Sequence, residues 1–147
     1  MSKERTRCRE KILTYLFQKD MGQEIEVDFR DFSPYAQIFA LKLWESCLKY
    51  KDFADKIISE FSYNWRIERL GIIERNALRM AICEILCFND IPVGVSVNEA
   101  VELTKKYVGV SASRFVNGVL RNILRNWDKV LELKTKEEYV VGKDKRT

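Results

Sequence analysis

An all-α fold is what this sequence predicts, on three observations. Charged residues make up 33% of its 147 positions, with only two prolines and six glycines as punctuation, too few turn residues for a sheet-rich fold. Apolar residues recur at three- and four-residue spacing along most of the length, the period of helices that bury one face. A content of 46% hydrophobic and 12% aromatic residues is enough material for one domain's core. No fixed-period repeat is visible, which disfavours a helical solenoid.

The first helix runs from Lys3 to about Lys19, with Cys8, Ile12, Tyr15 and Leu16 on its inner face and Leu13 and Phe17 widening it. Its first turns collect Arg5, Arg7 and Arg9, although a helix N-terminus carries partial positive charge and prefers acids. The conflict is worth ~0.3 to 1 kcal/mol at each exposed site, and an anionic ligand would resolve it. Residues 20–33 form an acidic connection, with Asp20, Glu24, Glu26, Asp28 and Asp31 against Arg30 alone and Gly22 breaking the helical pattern. Ser33 followed by Pro34 is a helix start, the serine capping free amides and the proline fitting the first turn. Tyr35, Phe39, Leu43 and Cys47 continue that helix to about Tyr50. Asp52 then caps a further short helix carrying Phe53, Ala54, Ile57, Ile58 and Phe61.

An aromatic link with Tyr63 and Trp65 turns through a short helical segment to Gly71. From Ile72 to Phe88 the apolar residues run nearly all round, as in a central helix, interrupted by Glu74, Arg75, Asn76, Arg79 and Glu84. After the turn at residues 89–94, Ser96 and Glu99 have the spacing of a capping box. Val97, Ala100, Val101, Thr104, Tyr107 and Val108 make the next inner stripe, Glu102 can pair with Lys106, and Gly109 closes the helix with a positive φ. Ser111 or Ser113 opens the last long helix, whose buried face is Val116, Val119, Leu120, Ile123, Leu124 and Trp127. Phe115 falls roughly 110° from the centre of that face. Gly118 costs about 1 kcal/mol against alanine, which favours close packing of another backbone there. Beyond Leu133 the chain is polar and reads as a loosely held tail.

The net charge is +4, and within the first eleven residues Lys3, Arg5, Arg7, Arg9 and Lys11 face only Glu4 and Glu10. Basicity concentrated at one end favours a polyanion. No early apolar run resembles a secretion signal and no stretch is long enough to span a bilayer, so a cytoplasmic protein without a membrane partner is expected. Four cysteines then read as small buried hydrophobes. Cys83 and Cys87 could supply half a metal site, but without a histidine or a second ligand pair no metal or other cofactor is expected. There is also no base of the histidine type, no phosphate loop and no dinucleotide-binding turn, so the expectation is a non-enzyme.

Binding fits the residues better. Arginine forks clasp phosphates and stack on bases, and arginine-rich segments commonly become ordered on RNA. Arg114 beside Phe115 offers a base with a stacking platform, the alternative being a phenylalanine at the core edge. Arg75 and Arg79, one turn apart, reach either the RNA or a nearby acid.

Residues 74–81 (Glu-Arg-Asn-Ala-Leu-Arg-Met-Ala), Ile91-Pro92, Asn98-Glu99-Ala100-Val101-Glu102-Leu103, Lys105 and Phe115-Val116-Asn117-Gly118-Val119-Leu120 resemble the bacterial NusB transcription antitermination factor family over roughly Lys3 to Leu133. The resemblance implies two packed three-helix bundles, about seven helices, with an N-terminal bundle over about 3–65, a C-terminal bundle over about 66–133 and a polar tail at 134–147. It also implies a protein that pairs with ribosomal protein S10, binds single-stranded boxA RNA and joins the RNA polymerase antitermination complex, chiefly on ribosomal RNA operons. The family's arginine-rich start falls on Arg5, Arg7 and Arg9, with Thr6 standing where some members have another base, and its RNA surface also implicates the Glu74 region and Phe115. Joined to the residues read from charge and position, the expected RNA-binding set is Lys3, Arg5, Arg7, Arg9, Glu74, Arg75, Arg79, Arg114 and Phe115. The S10 contacts are not mapped by these motifs. Two other readings are an RNA-targeting module of a ribosomal RNA methyltransferase, although no cofactor-binding segment follows Leu133, and a homodimer that stores the protein with its arginine face covered.

Overall fold

The computed structural model describes the backbone of residues 2–62 and 66–146 and the side chains of residues 3–62 and 66–138. Tyr63 and Trp65 of the expected aromatic link, and the side chains of Tyr139, Val140 and Val141, lie outside the described residues. The described chain is all-helical, six α-helices and one 3-10 turn at Ile67–Arg69 against the seven helices expected. They are α1 (Ser2–Asp20), α2 (Pro34–Phe61), α3 (Ile72–Cys87), α4 (Val93–Tyr107), α5 (Val110–Arg125) and α6 (Trp127–Arg146). Helix α3 is central: α1, α2, α4 and α5 all pack on it. Its Ala77, Leu78, Met80, Ala81, Ile82 and Cys83 are all buried. Around it Ile12, Leu13, Leu43, Ile57, Ile58, Leu120 and Ile123 are closed to solvent, each large side chain contributing roughly 1.5–3 kcal/mol by leaving water.

The helix starts and stops show where local rules won and where packing overrode them. Ser33 caps α2 as expected, its hydroxyl oxygen accepting from the Ala36 amide at 3.2 Å. The break expected near Tyr50 is absent, and α2 runs unbroken for 28 residues. Ala54, Ile57, Ile58 and Phe61 prolong the buried face begun by Phe39, Leu43 and Cys47, and with no glycine or proline in between, elongation of an existing helix is favoured over a new nucleus. Asp52 is therefore an exposed side chain on a continuous helix, not a cap.

The capping box at Ser96 is corrected too. Helix α4 starts four residues earlier, after Pro92, so Ser96 lies inside it and points inward to donate to Glu84. Glu99 reaches Thr6 and Arg9 instead of the Ser96 amide. A cap is worth about 1 kcal/mol, less than the several kcal/mol at stake when a buried carboxylate such as Glu84 lacks partners. Lys106 likewise pairs with Glu10 rather than with Glu102. Gly109 has φ +142° between α4 and α5, a backbone that L side chains rarely adopt. Helix α5 begins at Val110, so Ser111 and Ser113 lie within it, and it ends at Arg125 with Asn126 as its cap, which places Trp127 at the start of α6. Within the region expected as a loose tail, α6 continues in helical form to Arg146.

Candidate nucleic-acid interface

The first turns of α1 are held down by bonds from Glu4, Thr6 and Arg9 that reach α2, α3 and α4. Glu4 accepts from the Ser33 amide at 2.9 Å and the Ser33 hydroxyl at 2.6 Å, and these two bonds hold its carboxyl below the ordinary value. This joins the start of α1 to the start of α2. Thr6 donates to Glu99 at 2.6 Å, joining α1 to α4. Arg9 is only 3% exposed and contacts Glu84 at 2.6 Å and Glu99 at 3.1 Å. Next to Arg9 in the chain, Glu10 accepts from the Tyr107 hydroxyl at 2.5 Å and from Lys106 at 3.0 Å. The phenol bond is the main cause that lowers the Glu10 carboxyl, and the same bond raises the Tyr107 phenol.

With those acids committed, three cations on the same turns have no carboxylate within ion-pair distance among the described residues: Lys3, Arg5 and Arg7. Lys3 and Arg7 are exposed and Arg5 is half-buried. Arg5 lies over the Phe39 ring at 4.7 Å and Arg7 over the Phe32 ring at 5.4 Å. Each ring supports the flat guanidinium without neutralising it. Arg9, which the sequence grouped with them, is an internal residue: its side chain is closed in by Glu84, Glu99 and, at 5.0 Å, the Phe39 ring. A cleft of about 310 Å³ opens beside Arg7, lined by Glu10, Lys11, Thr14, Asp31 and Phe32. Lys11, 3.9 Å from Asp31, and Thr14 line this cleft although the sequence did not single them out as candidates. Their signal was the spacing i, i+4, i+7 from Arg7, which sets all three along one side of the helix.

Arg75 and Arg79 stand elsewhere. They sit at the far end of α1, about 22 Å from Arg5 along the helix at 1.5 Å per residue. Asp20 receives Arg75 at 2.6 Å, Arg79 at 3.1 Å and Asn76 at 3.1 Å, while Asp55 takes a forked pair from Arg79 at 2.5 and 2.9 Å. Burial alone would raise the Asp20 carboxyl, but the Arg75 and Asn76 bonds and the Arg79 charge outweigh it and hold it low. For Arg79 burial disfavours the charge, and the Asp55 partnership more than restores it. This cluster locks α1, α2 and α3 together. Glu74 folds back over Gly71 at the start of α3, filling the space that a side chain at 71 would need.

On α5, Arg114 is exposed and Phe115 is half-buried, packed by part of its ring against the core. This is the flank position expected from its angle. Arg121 and Arg125 follow Arg114 on the exposed face, α5 contains no acidic residue, and none of the three is ion-paired among the described residues. The structure thus brings Lys3, Arg5 and Arg7 together, separates Arg75 and Arg79 from them, and sets Arg114 and Phe115 on a helix of uncompensated positive charge. Among the described residues no group of three or more metal-ligating side chains is assembled, and no helix is long and apolar enough to cross a membrane.

Across residues 6–125, from the second turn of α1 to the end of α5, the chain matches the model of the NusB family. It belongs to that family. A transcription antitermination protein NusB from Dictyoglomus turgidum is 69% identical over 134 residues, covering 91% of this chain and 93% of its own. Among solved structures, NusB of T. maritima superimposes with a TM-score of 0.75 at 29% identity, covering 82% of this chain and 90% of its own. A NusB chain from a crystal structure of antitermination factors NusB and NusE in complex with dsRNA gives a TM-score of 0.71 at 28% identity, over 85% of this chain and 98% of that one. The NusB-family match includes both glutamates that hold Arg9 and both aspartates that hold Arg79.

Proposed function

We propose that this chain is a non-catalytic, cytoplasmic RNA-binding subunit of a transcription antitermination complex. With ribosomal protein S10 it binds single-stranded boxA RNA and acts on elongating RNA polymerase, chiefly in ribosomal RNA operons. The observation that carries this reading is the first two turns of α1, where Lys3, Arg5 and Arg7 remain without carboxylate partners within ion-pair distance among the described residues while Glu4, Glu10 and Glu99 are used to fasten the helix. Such a segment is preorganised for phosphates, because its own fold does not neutralise it. Arg114 and Phe115 supply a further cation and a ring on which a base can stack. Arg9 and Arg79 serve this function as positioning residues, and Arg75 stands with Arg79.

The reading is also supported by what the family's relatives are called and by the NusB and NusE complex on RNA among its structural neighbours. Fluorescence anisotropy of a labelled boxA RNA, with and without S10, tests it. Binding that tightens when S10 is added and is lost with a scrambled RNA is the expected result. Equal affinity for the two RNAs in the presence of S10 would remove the sequence-specific role.

A further inference from the structure

The outer face of α5 carries more positive charge than the fold uses. At ~100° per residue, Arg114, Arg121 and Arg125 fall within about 20° of one line along the helix and span about 16 Å of it. All three are exposed, α5 contains no acidic residue, and Arg121 and Arg125 stand at the one-turn spacing where like charges weaken a helix. The line is bordered on both sides. Phe115 lies about 100° to one side, and Asn117 and Leu124 stand about 60–80° to the other, where α5 and α4 enclose a hollow of about 210 Å³. Val97, Val101 and Leu124 give it apolar walls, Asn98, Asn117 and Arg121 supply its polar groups, and no acid lines it. Asn117 Oδ1 accepts from Arg121 Nε at 3.3 Å, which ties the arginine line to the hollow.

Charge and shape together select the occupant. The arginine line calls for repeated negative charge. The hollow calls for a flat ring with polar edges, because its apolar walls take a ring face and each asparagine amide offers both a donor and an acceptor. A single nucleic-acid strand has both features, whereas an acidic protein segment has the charge without the ring edges. We infer that α5 and the hollow beside it extend the RNA site: unpaired ribonucleotides flanking the element bound at α1 and Phe115 lay their phosphates along Arg114, Arg121 and Arg125, and one of their bases enters the hollow against Asn98 and Asn117. Arg114 belongs to both stretches, so the surface is continuous. The arginines fix the strand without reading it, and the two amides supply a preference for one base.

This inference rests on the RNA part of the proposed function, and the experiment separates the two. With S10 present, fluorescence anisotropy compares a labelled boxA RNA with the same RNA lengthened by about six unpaired nucleotides at its 5′ or its 3′ end, on the full chain and on a variant carrying Arg121→Ser and Arg125→Ser. Both side chains are exposed, and a circular dichroism melt checks that the variant is folded. Arg125→Ser alone serves if it is not. The expected result is that one lengthened RNA binds the full chain about 5-fold or more tighter, the worth of one stacked base, with a salt slope steeper by ~0.7 for each added phosphate neutralised. The variant is expected to lose this gain and to hold the short RNA as before. No gain at either end, or a gain that the variant keeps, overturns the extension and leaves boxA binding in place. Failure of the short RNA to bind the full chain overturns both readings. For the hollow, the added stretch is made of A, C, G or U in turn: unequal affinities that Asn98→Ala brings together are expected. Equal affinities in the full chain, or the same inequality in the variant, overturn the base subsite. Poly-glutamate that binds the full chain and not the arginine variant, with no gain from either lengthened RNA, assigns the face to an acidic protein and overturns the inference.

Discussion

The two ends of α1 carry the same residue type with opposite outcomes. At its N-terminal end Arg5 and Arg7 rest on aromatic rings without a carboxylate. Where α1 ends, Asp20 gathers Arg75 and Arg79 of α3 into a clamp shared with Asp55 of α2. Arg9 belongs to the second kind despite lying among the first, because Glu84 and Glu99 reach it from α3 and α4. What separates an unneutralised arginine from a structural one here is the acid supplied from another helix.

The largest effect is expected at the clamp. Arg79→Ala leaves Asp55 partly buried with no cation and Asp20 with Arg75 alone, a loss of roughly 3–5 kcal/mol when one partner of a buried pair is removed. Urea denaturation of the variant checks it, and a loss below about 1 kcal/mol, the scale of an exposed pair, would break the contrast between the two ends. Next comes Phe115→Ala, expected to weaken RNA binding by ~1–3 kcal/mol, the worth of one stacked base. Its ring also touches the core, so the comparison is sharpened by measuring unfolding alongside binding. Stability lost with RNA affinity kept would make the ring a core element only.

The smallest effect is in acid. Glu4, Glu10 and Asp20 have carboxyls held below their ordinary values of 4.5, 4.5 and 3.8. The unfolded chain therefore takes up protons first, and the stabilisation, complete above those ordinary values, is lost as pH falls through the folded ones. Thermal melts between neutral and strongly acidic pH should show this decline. Asp20→Asn should flatten it more than Glu4→Gln, because Asp20 is the more enclosed. The reverse order would mean that the α1 start, and not the clamp, is the tighter joint.

Much of the fold was legible because helical periodicity and the Ser33-Pro34 cap are local signals. Continuity of α2 through Asp52 was not, since a capping residue looks the same whether or not a buried face runs on beyond it. The early start of α4 was hidden for a related reason: Ser96 and Glu99 satisfy a local motif, yet both side chains are claimed by residues 84, 6 and 9, far away in the chain. At the candidate site the basic cluster on α1 and the flank position of Phe115 could be read directly. Which arginines are consumed could not, because the deciding acids Asp20, Asp55, Glu84 and Glu99 are 24 to 90 residues distant from the arginines they bind. The place of Lys11 in the cleft beside Arg7 is legible in their four-residue spacing.

The dependence of boxA RNA affinity on salt, measured with S10 present, tests the division between the two ends most directly. For Arg5→Ala combined with Arg7→Ala the account predicts a slope of log affinity against log salt that flattens by ~0.7 for each phosphate the variant no longer neutralises, with the unfolding midpoint nearly unchanged. An unaltered slope and affinity in that double variant would contradict it.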